Sequence, residues 1–179
     1  MKISRQRERK RKHHFGFSWL ANTVTLFNLF TGFLAILMAS EGHLDRASWL
    51  ILVALFWDSL DGNIARTFKN PTLFGRELDS LADIVSFVVA PAFIALKNWD
   101  FRLSPWTLLV VFCFLGAGAY RLARFNIKAP VKSSFEGLPT PAAAVTLVMT
   151  VLAYLKNGWS DVTMFMFLQV LLMAVMSYL

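Results

Sequence analysis

Six long apolar stretches follow one another along the chain, separated by short polar connections. They cover residues 19–40, 47–65, 78–97, 105–124, 139–156 and 161–179. A helix needs about 20 mainly apolar residues to cross the hydrocarbon core of a bilayer, and each stretch comes close to that length. The pattern therefore predicts an all-α, polytopic membrane protein with six transmembrane helices.

A basic arm precedes the first apolar stretch. Residues 1–14 carry seven Lys and Arg side chains, and we expect this amphipathic arm to lie on anionic lipid headgroups. A secretory signal also begins with basic residues, but the stretch that follows here is long and is succeeded by further spans, so we predict a retained helix. Two units result, an interfacial arm over 1–16 and a six-helix membrane domain over 17–179. The sequence stops at Leu179 within the last apolar stretch, which fits both a shortened sequence and a helix that ends there.

The composition supports a membrane protein, and the distribution of charge predicts its orientation in the membrane. The chain is 56% hydrophobic and only 16% charged, below the roughly 25% charged residues of soluble domains. Its net charge of +7 suits either an anionic membrane or nucleic acid. Fourteen of the 18 Lys and Arg residues fall in the arm and in the connections after the second and fourth stretches. The positive-inside rule then predicts both termini on the cytoplasmic side of the inner membrane, and the bias disfavours a nucleic-acid partner.

Four carboxylates interrupt the apolar pattern around the second and third stretches. Asp58 and Asp61 lie in the second stretch, and Asp79 and Asp83 lie in the third. If the second helix starts near residue 46, Asp58 lies about 18 Å along it, at about 1.5 Å per residue. A charge at that depth costs at least ~2.5 kcal/mol on insertion scales, so these side chains are expected to face a cavity or a partner and to be functional.

The spacing of the acids places each pair on one helix face. Asp58 and Asp61 are three residues apart, and Asp79 and Asp83 are four apart, so both members of each pair point the same way. Two facing carboxylate pairs repel unless they are protonated or bind cations. Hard oxygen ligands of this kind favour Mg²⁺ or Mn²⁺, with Ca²⁺ as a further candidate, and we expect two ions.

Two simpler interpretations of the acids stay open at this point. Isolated intramembrane carboxylates often serve as relay groups in a small cation transporter. Asp79 could also cap or complement the N-terminus of the third helix. The capping interpretation leaves Asp58 and Asp61 unexplained.

The acids form part of a longer pattern that resembles the CDP-alcohol phosphatidyltransferase family. The family pattern is D-x-x-D-G-x-x-A-R, eight residues, then G-x-x-x-D-x-x-x-D, and this chain matches every fixed position from Asp58 to Asp83. The resemblance implies a six-helix fold, usually a homodimer, with a cavity open to the cytoplasm and to membrane lipids. It also implies phosphatidyl transfer from CDP-diacylglycerol to an alcohol, with release of CMP.

Carried over by position, the resemblance assigns roles to single residues. Asp58, Asp61, Asp79 and Asp83 would bind the metal ions, and Asp83 would also act as the base for the incoming hydroxyl. The residues of the pattern that would contact CDP-diacylglycerol are Asp61, Gly62, Ala65, Arg66 and Gly75. Thr25 and Asn28, which lie outside the pattern in the segment TLFNLFTG at 25–32, also resemble family residues and would face the nucleotide and the metal site. Both a direct and a covalent transfer remain compatible with the pattern.

Three further segments resemble the serine-accepting branch of the family. They are TLFNLFTG at 25–32, RLARFN at 121–126 and FEGLPTPAA at 135–143. L-Serine is therefore the expected acceptor, and Arg121, Arg124 and Asn126 could supply donors and acceptors for its charged groups. The two Arg residues are equally explained as positive-inside anchors. Glycerol 3-phosphate and an inositol phosphate are the alternative acceptors, and the cation transporter is the alternative class.

Overall fold

The described part of the chain is a bundle of helices. The structure is a computed structural model that describes residues 2–67, 72–98, 105–127 and 140–157. Its helices are α1 Lys2–Ser40, α2 Leu44–Thr67, α3 Leu73–Asp83, α4 Ala90–Asn98, α5 Pro105–Ile127 and α6 Thr140–Asn157. A π-helical stretch, Ile84–Val89, joins α3 directly to α4. No strand occurs in these residues, which confirms the all-α prediction, while the sixth predicted span at 161–179 lies outside them.

Within the described ranges, two helical stretches are long and apolar enough to cross a membrane. They are Trp19–Ser40 and Leu73–Asn98, and a shorter apolar helix covers Thr140–Lys156. The outer surface of the bundle carries large apolar side chains, including Phe30 at 54% and Phe112 at 72% exposure. Such a surface is unusual for a protein surrounded by water and suits contact with lipid. The chain therefore has the character of a membrane protein, whereas six spans and their orientation remain predictions.

The turn between α1 and α2 is set by a glycine. Gly42 has a φ of 88°, a left-handed conformation that costs glycine little because it has no Cβ. Its amide donates to the Ala39 carbonyl at 3.0 Å, and the His43 amide donates to the Met38 carbonyl at 2.9 Å. This pair of hydrogen bonds is the usual way to close a helix C-terminus. The chain then reverses at once, so α2 packs along α1.

Helix α3 begins five residues before the predicted start of the third span at residue 78. Thr72 caps it, because its side-chain oxygen accepts from the Gly75 amide at 3.0 Å. The capped start puts Gly75 and both acids of the third span on one continuous helix. Asp79 lies in its second turn, so the alternative interpretation of Asp79 as an N-terminal cap is wrong.

Small residues bring the helices together in one half of the bundle. Ala35 and Ala39 of α1 pack with Ala47 and Ala54 of α2 around the fully buried Phe87. Small side chains let helix backbones approach closely, which is the usual basis of helix packing in membranes. This apolar core leaves the polar residues of α1, α2 and α3 to gather in the other half.

Candidate metal centre

Three carboxylates from two helices meet in the polar half of the bundle. Asp58 and Asp61 of α2 and Asp79 of α3 each offer one oxygen, and these oxygens all lie within 4.8 Å of one another. Asp61 is buried, and the other two are half-buried. Three negative groups this close repel one another strongly in a poorly solvated place. A bound cation would remove that repulsion.

Helix α1 contributes polar partners to the acids. The Thr25 hydroxyl donates to Asp61 Oδ2 at 2.8 Å. One turn further along, Asn28 Nδ2 donates to Asp83 Oδ1 at 3.3 Å. All four side chains are buried. Thr25 and Asn28, which the resemblance assigned to this region, therefore touch the aspartates directly.

Asp83 lies one turn beyond Asp79 and is not one of the three clustered carboxylates. Its described hydrogen bond comes from Asn28. The fourth predicted ligand is thus placed beside the cluster, on the side facing α1.

The donor set fits a divalent cation. Asp79 Oδ1 and Asn28 Oδ1 are buried and have no hydrogen-bond partner within the described residues. Buried polar atoms are almost always paired, so an unpaired carboxylate oxygen next to two other carboxylates indicates a missing positive partner. Oxygen-only ligands select hard ions such as Mg²⁺, Mn²⁺ and Ca²⁺. The residues present therefore agree with the predicted metal site, without identifying the ion.

The two glycines of the pattern have different surroundings. A Cβ built on Gly62 meets nothing within 4 Å, so α2 borders open space beside the acids. A Cβ on Gly75 would lie 3.1 Å from Thr72 Oγ1 and 3.2 Å from Asn22 Oδ1. Asn22 was missed by the sequence analysis. Its position three residues before Thr25, on the same face of α1, was the available signal.

Ala65 and Arg66 occupy the last turns of α2, at the same end of the bundle as the acids. Their side chains lie outside the described part of the structure. The predicted contact of Arg66 with phosphate groups therefore stays a prediction.

The predicted acceptor residues lie at the C-terminal end of α5. Arg121 is half-buried and Arg124 is exposed. Asn126 is already engaged with α3: its Oδ1 accepts from Ser80 at 3.0 Å, and its Nδ2 donates to Glu77 at 3.2 Å. These contacts span more than 40 residues of sequence, and no local pattern indicated them.

The backbone carbonyl of Asn126 accepts a further hydrogen bond, from the guanidinium of Arg76 at 2.8 Å. Three hydrogen bonds thus tie the end of α5 to the helix that carries Asp79 and Asp83. The structure brings the α5 residues to the same end of the bundle as the carboxylates, and their contact with an acceptor stays a prediction.

Together these features define a class of protein: a helical bundle of membrane character with a partly buried carboxylate cluster, shared by two helices, that fits divalent cations. Comparison with known families identifies the group within that class. The family model for CDP-alcohol phosphatidyltransferase matches residues 18–177, and the chain belongs to this family. The resemblance drawn from the aspartate pattern is confirmed.

Curated relatives carry more specific names. The chain is 41% identical over 133 residues to the CDP-diacylglycerol–serine O-phosphatidyltransferase of Helicobacter pylori strain 26695, covering 73% of this chain and 56% of the relative. It is 43% identical over 129 residues to the protein of that name from Methanocaldococcus jannaschii, covering 72% and 58%. An archaetidylserine synthase of Methanothermobacter thermautotrophicus is 39% identical over 133 residues, covering 72% and 55%. The chain spans little more than half the length of these curated relatives.

Proposed function

We propose that this chain transfers the phosphatidyl group of CDP-diacylglycerol to L-serine, giving phosphatidylserine and CMP. The observation that carries the proposal is the cluster of three carboxylate oxygens within 4.8 Å of one another in an apolar helical bundle, in a chain whose family is defined by CDP-alcohol chemistry. The names of the relatives point to serine as the acceptor.

Asp58, Asp61 and Asp79 would hold the divalent ions, with Mg²⁺ or Mn²⁺ favoured by the ligand type. When bound, the ions supply positive charge that neutralises the pyrophosphate and stabilises the leaving CMP. Thr25 fixes one of these carboxylates through its 2.8 Å hydrogen bond to Asp61. A carboxylate held in one rotamer presents its second oxygen in a defined direction.

The nucleotide would bind beside α2. The open space at Gly62 borders the cluster, so the cytidine and pyrophosphate can approach the helix backbone there. Ala65 and Arg66 follow on the same helix, and a guanidinium offers a planar donor fork that suits phosphate. Thr25 of α1 reaches Asp61, and Asn22 of the same helix lies beside Gly75 of α3, so α1 would border the nucleotide as well.

Asp83 is our proposed base. A bond forms between the serine hydroxyl oxygen and the phosphorus that bears diacylglycerol, while the bond from that phosphorus to the bridging pyrophosphate oxygen breaks. The hydroxyl proton passes to the Asp83 carboxylate, and CMP leaves with the bridging oxygen. Asn28 orients Asp83 by donating to its Oδ1 at 3.3 Å, which leaves Oδ2 for the hydroxyl.

The acceptor site would lie between the cluster and the end of α5. Arg121 and Arg124 supply cationic groups for the serine carboxylate. Asn126 is bonded to Ser80 and Glu77, so we expect it to set the position of α5 as well as to border the acceptor.

Membrane placement completes the proposal. Six spans over 17–179, with the basic arm 1–16 on the lipid surface, would put both termini and the site at the cytoplasmic face of the inner membrane. The lipid substrate could then enter sideways from the bilayer, while serine and CMP exchange with the cytoplasm. The family resemblance adds a homodimer, which light scattering of the purified protein would test.

An acceptor panel tests the reaction and the acceptor together. The purified protein is incubated with CDP-diacylglycerol, Mn²⁺ and one of L-serine, glycerol 3-phosphate or an inositol phosphate, and CMP is measured. Of the three acceptors, we expect only L-serine to support CMP release, and we expect Asp61→Asn to abolish that release. The matched control is Asp45→Asn, at an exposed position in the first turn of α2.

Other outcomes have definite meanings. Release with another acceptor but not with serine would overturn the serine assignment and keep the transferase. Cation flux in proteoliposomes that requires Asp58 and Asp61, without any CMP formation, would replace the transferase by the transporter.

A further inference from the structure

The helix that carries Asp79 and Asp83 changes its winding directly after Asp83. Residues Ile84–Val89 form a π-helical stretch before the α-helix resumes at Ala90. One π-turn accommodates an extra residue and rotates the following side chains, and such turns are frequent at functional sites. The stretch contains the buried residues Ser86 and Val88.

Both of these residues rest on glycines of neighbouring helices. A Cβ built on Gly32 of α1 would lie 2.7 Å from Ser86 Cα, a contact with backbone that cannot be relieved by turning a side chain. A Cβ on Gly118 of α5 would lie 2.8 Å from both methyl groups of Val88. The π-helical stretch is therefore seated between α1 and α5, with glycine on each side.

The contact between Ser86 and α1 is linked to Asp83 through hydrogen bonds. The Ser86 hydroxyl donates to the Asn28 carbonyl at 3.0 Å, and the Thr31 hydroxyl donates to the same oxygen at 2.8 Å. The Asn28 side chain in turn donates to Asp83 Oδ1. Ser86 and Asn28 are both 0% exposed, so water cannot replace the Ser86 hydroxyl, and in its absence the Asn28 carbonyl would keep Thr31 as a hydroxyl donor.

We propose that Ser86 is a positioning residue for Asp83. Ser86 packs against Gly32 and holds the Asn28 backbone through its hydrogen bond to the carbonyl oxygen. The side-chain amide of Asn28, held in this way, orients the Asp83 carboxylate. This rests on the proposed function, in which Asp83 receives the proton of the acceptor. Ser86 itself touches no reacting group. Its effect on the reaction is exerted through Asn28.

The test compares two buried serines. Ser86→Ala removes the hydroxyl that reaches Asn28, whereas Ser48→Ala removes an equally buried hydroxyl at the start of α2 that has no partner within the described residues. Loss of one neutral hydrogen bond predicts that Ser86→Ala lowers kcat about threefold to tenfold. KM for CDP-diacylglycerol should stay within about twofold, because ground-state binding is untouched. Ser48→Ala should match the wild type in both.

A double-mutant cycle separates positioning from general packing. In an Asn28→Ala background, adding Ser86→Ala should lower kcat by less than about twofold, since the route to Asp83 is already cut. Ser86→Cys keeps the branching of serine with a larger atom in place of the oxygen, and its thiol donates only weakly. It should behave like Ser86→Ala, and it replaces that variant if alanine prevents folding.

The results that would contradict the positioning role differ from those that would contradict the proposed function. Wild-type kcat in Ser86→Ala, or an undiminished effect of Ser86→Ala on top of Asn28→Ala, would overturn the positioning role and leave the proposed function standing. A wild-type protein that releases no CMP with any acceptor would overturn both, because Asp83 would then have no reaction to serve.

Discussion

The hydrogen bond from Thr25 to Asp61 offers a direct test of how α1 supports the carboxylate cluster. The perturbation is Thr25→Val, which keeps the shape of the side chain and removes its hydroxyl. The hydroxyl lies 2.8 Å from Asp61 Oδ2, closer than the 3.1 Å to the Ala21 carbonyl of its own helix. Because it has a single proton, the shorter bond to the carboxylate is the one that matters.

The size of the effect follows from the charge and burial of the pair. Thr25 is 4% and Asp61 5% exposed, and a hydrogen bond to a charged group contributes about 1.5–3 kcal/mol. At about 1.4 kcal/mol per tenfold change, this predicts roughly 10-fold to 100-fold weaker metal binding. The same range is typical for loss of groups that orient a metal ligand.

The assay is a Mn²⁺ titration of CMP release, supported by direct Mn²⁺ binding measured by electron paramagnetic resonance. Thr23→Val is the matched control, because the Thr23 hydroxyl donates to the Trp19 carbonyl of its own helix at 2.8 Å. We expect only Thr25→Val to need more Mn²⁺. If both variants were half-activated at the same Mn²⁺ concentration, the argument that α1 orients the metal ligands would be refuted.

Three further predictions concern the base, the open face of α2 and the packing of α5. Asp83→Asn should abolish turnover while nucleotide binding, measured by calorimetry, persists; loss of binding would instead make Asp83 mainly a metal ligand. Gly62→Ala should raise KM for CDP-diacylglycerol without loss of thermal stability, because its Cβ meets only open space; an unchanged KM would show that the nucleotide binds elsewhere. Gly118→Ala should lower the free energy of unfolding by about 1–3 kcal/mol, because its Cβ crowds Val88. Gly116→Ala should raise it by about 0.5–1 kcal/mol, because a Cβ at that position meets nothing within 4 Å. Thermal unfolding in detergent distinguishes the last two, and equal melting temperatures would contradict the packing argument.

The aspartate cluster could be predicted from sequence because it depends on helical spacing. Asp58 and Asp61 share a face by their three-residue separation, and Asp79 and Asp83 by their four-residue separation. Apolar surroundings showed that these charges needed a partner. The start of α3 was harder to predict, because Thr72 lies in a polar connection where hydrophobicity carries little signal.

Other features depend on contacts between distant parts of the chain. The π-helical stretch Ile84–Val89 has an ordinary apolar sequence, and within it Ser86 packs closely against Gly32 of α1. The Asn126 side chain forms hydrogen bonds with Ser80 and Glu77, which precede it by 46 and 49 positions in the sequence. Such pairs become visible only when the helices are placed side by side.

The proposed reaction is tested most directly by measuring phosphatidylserine formed from CDP-diacylglycerol and isotopically labelled L-serine by the purified protein, with Mn²⁺ or Mg²⁺ and again with a chelator. We predict labelled lipid and an equal amount of CMP, both lost when the ions are removed. Label incorporation that persists in chelator would contradict the metal-dependent carboxylate site, and CMP release without labelled lipid would contradict serine as the acceptor.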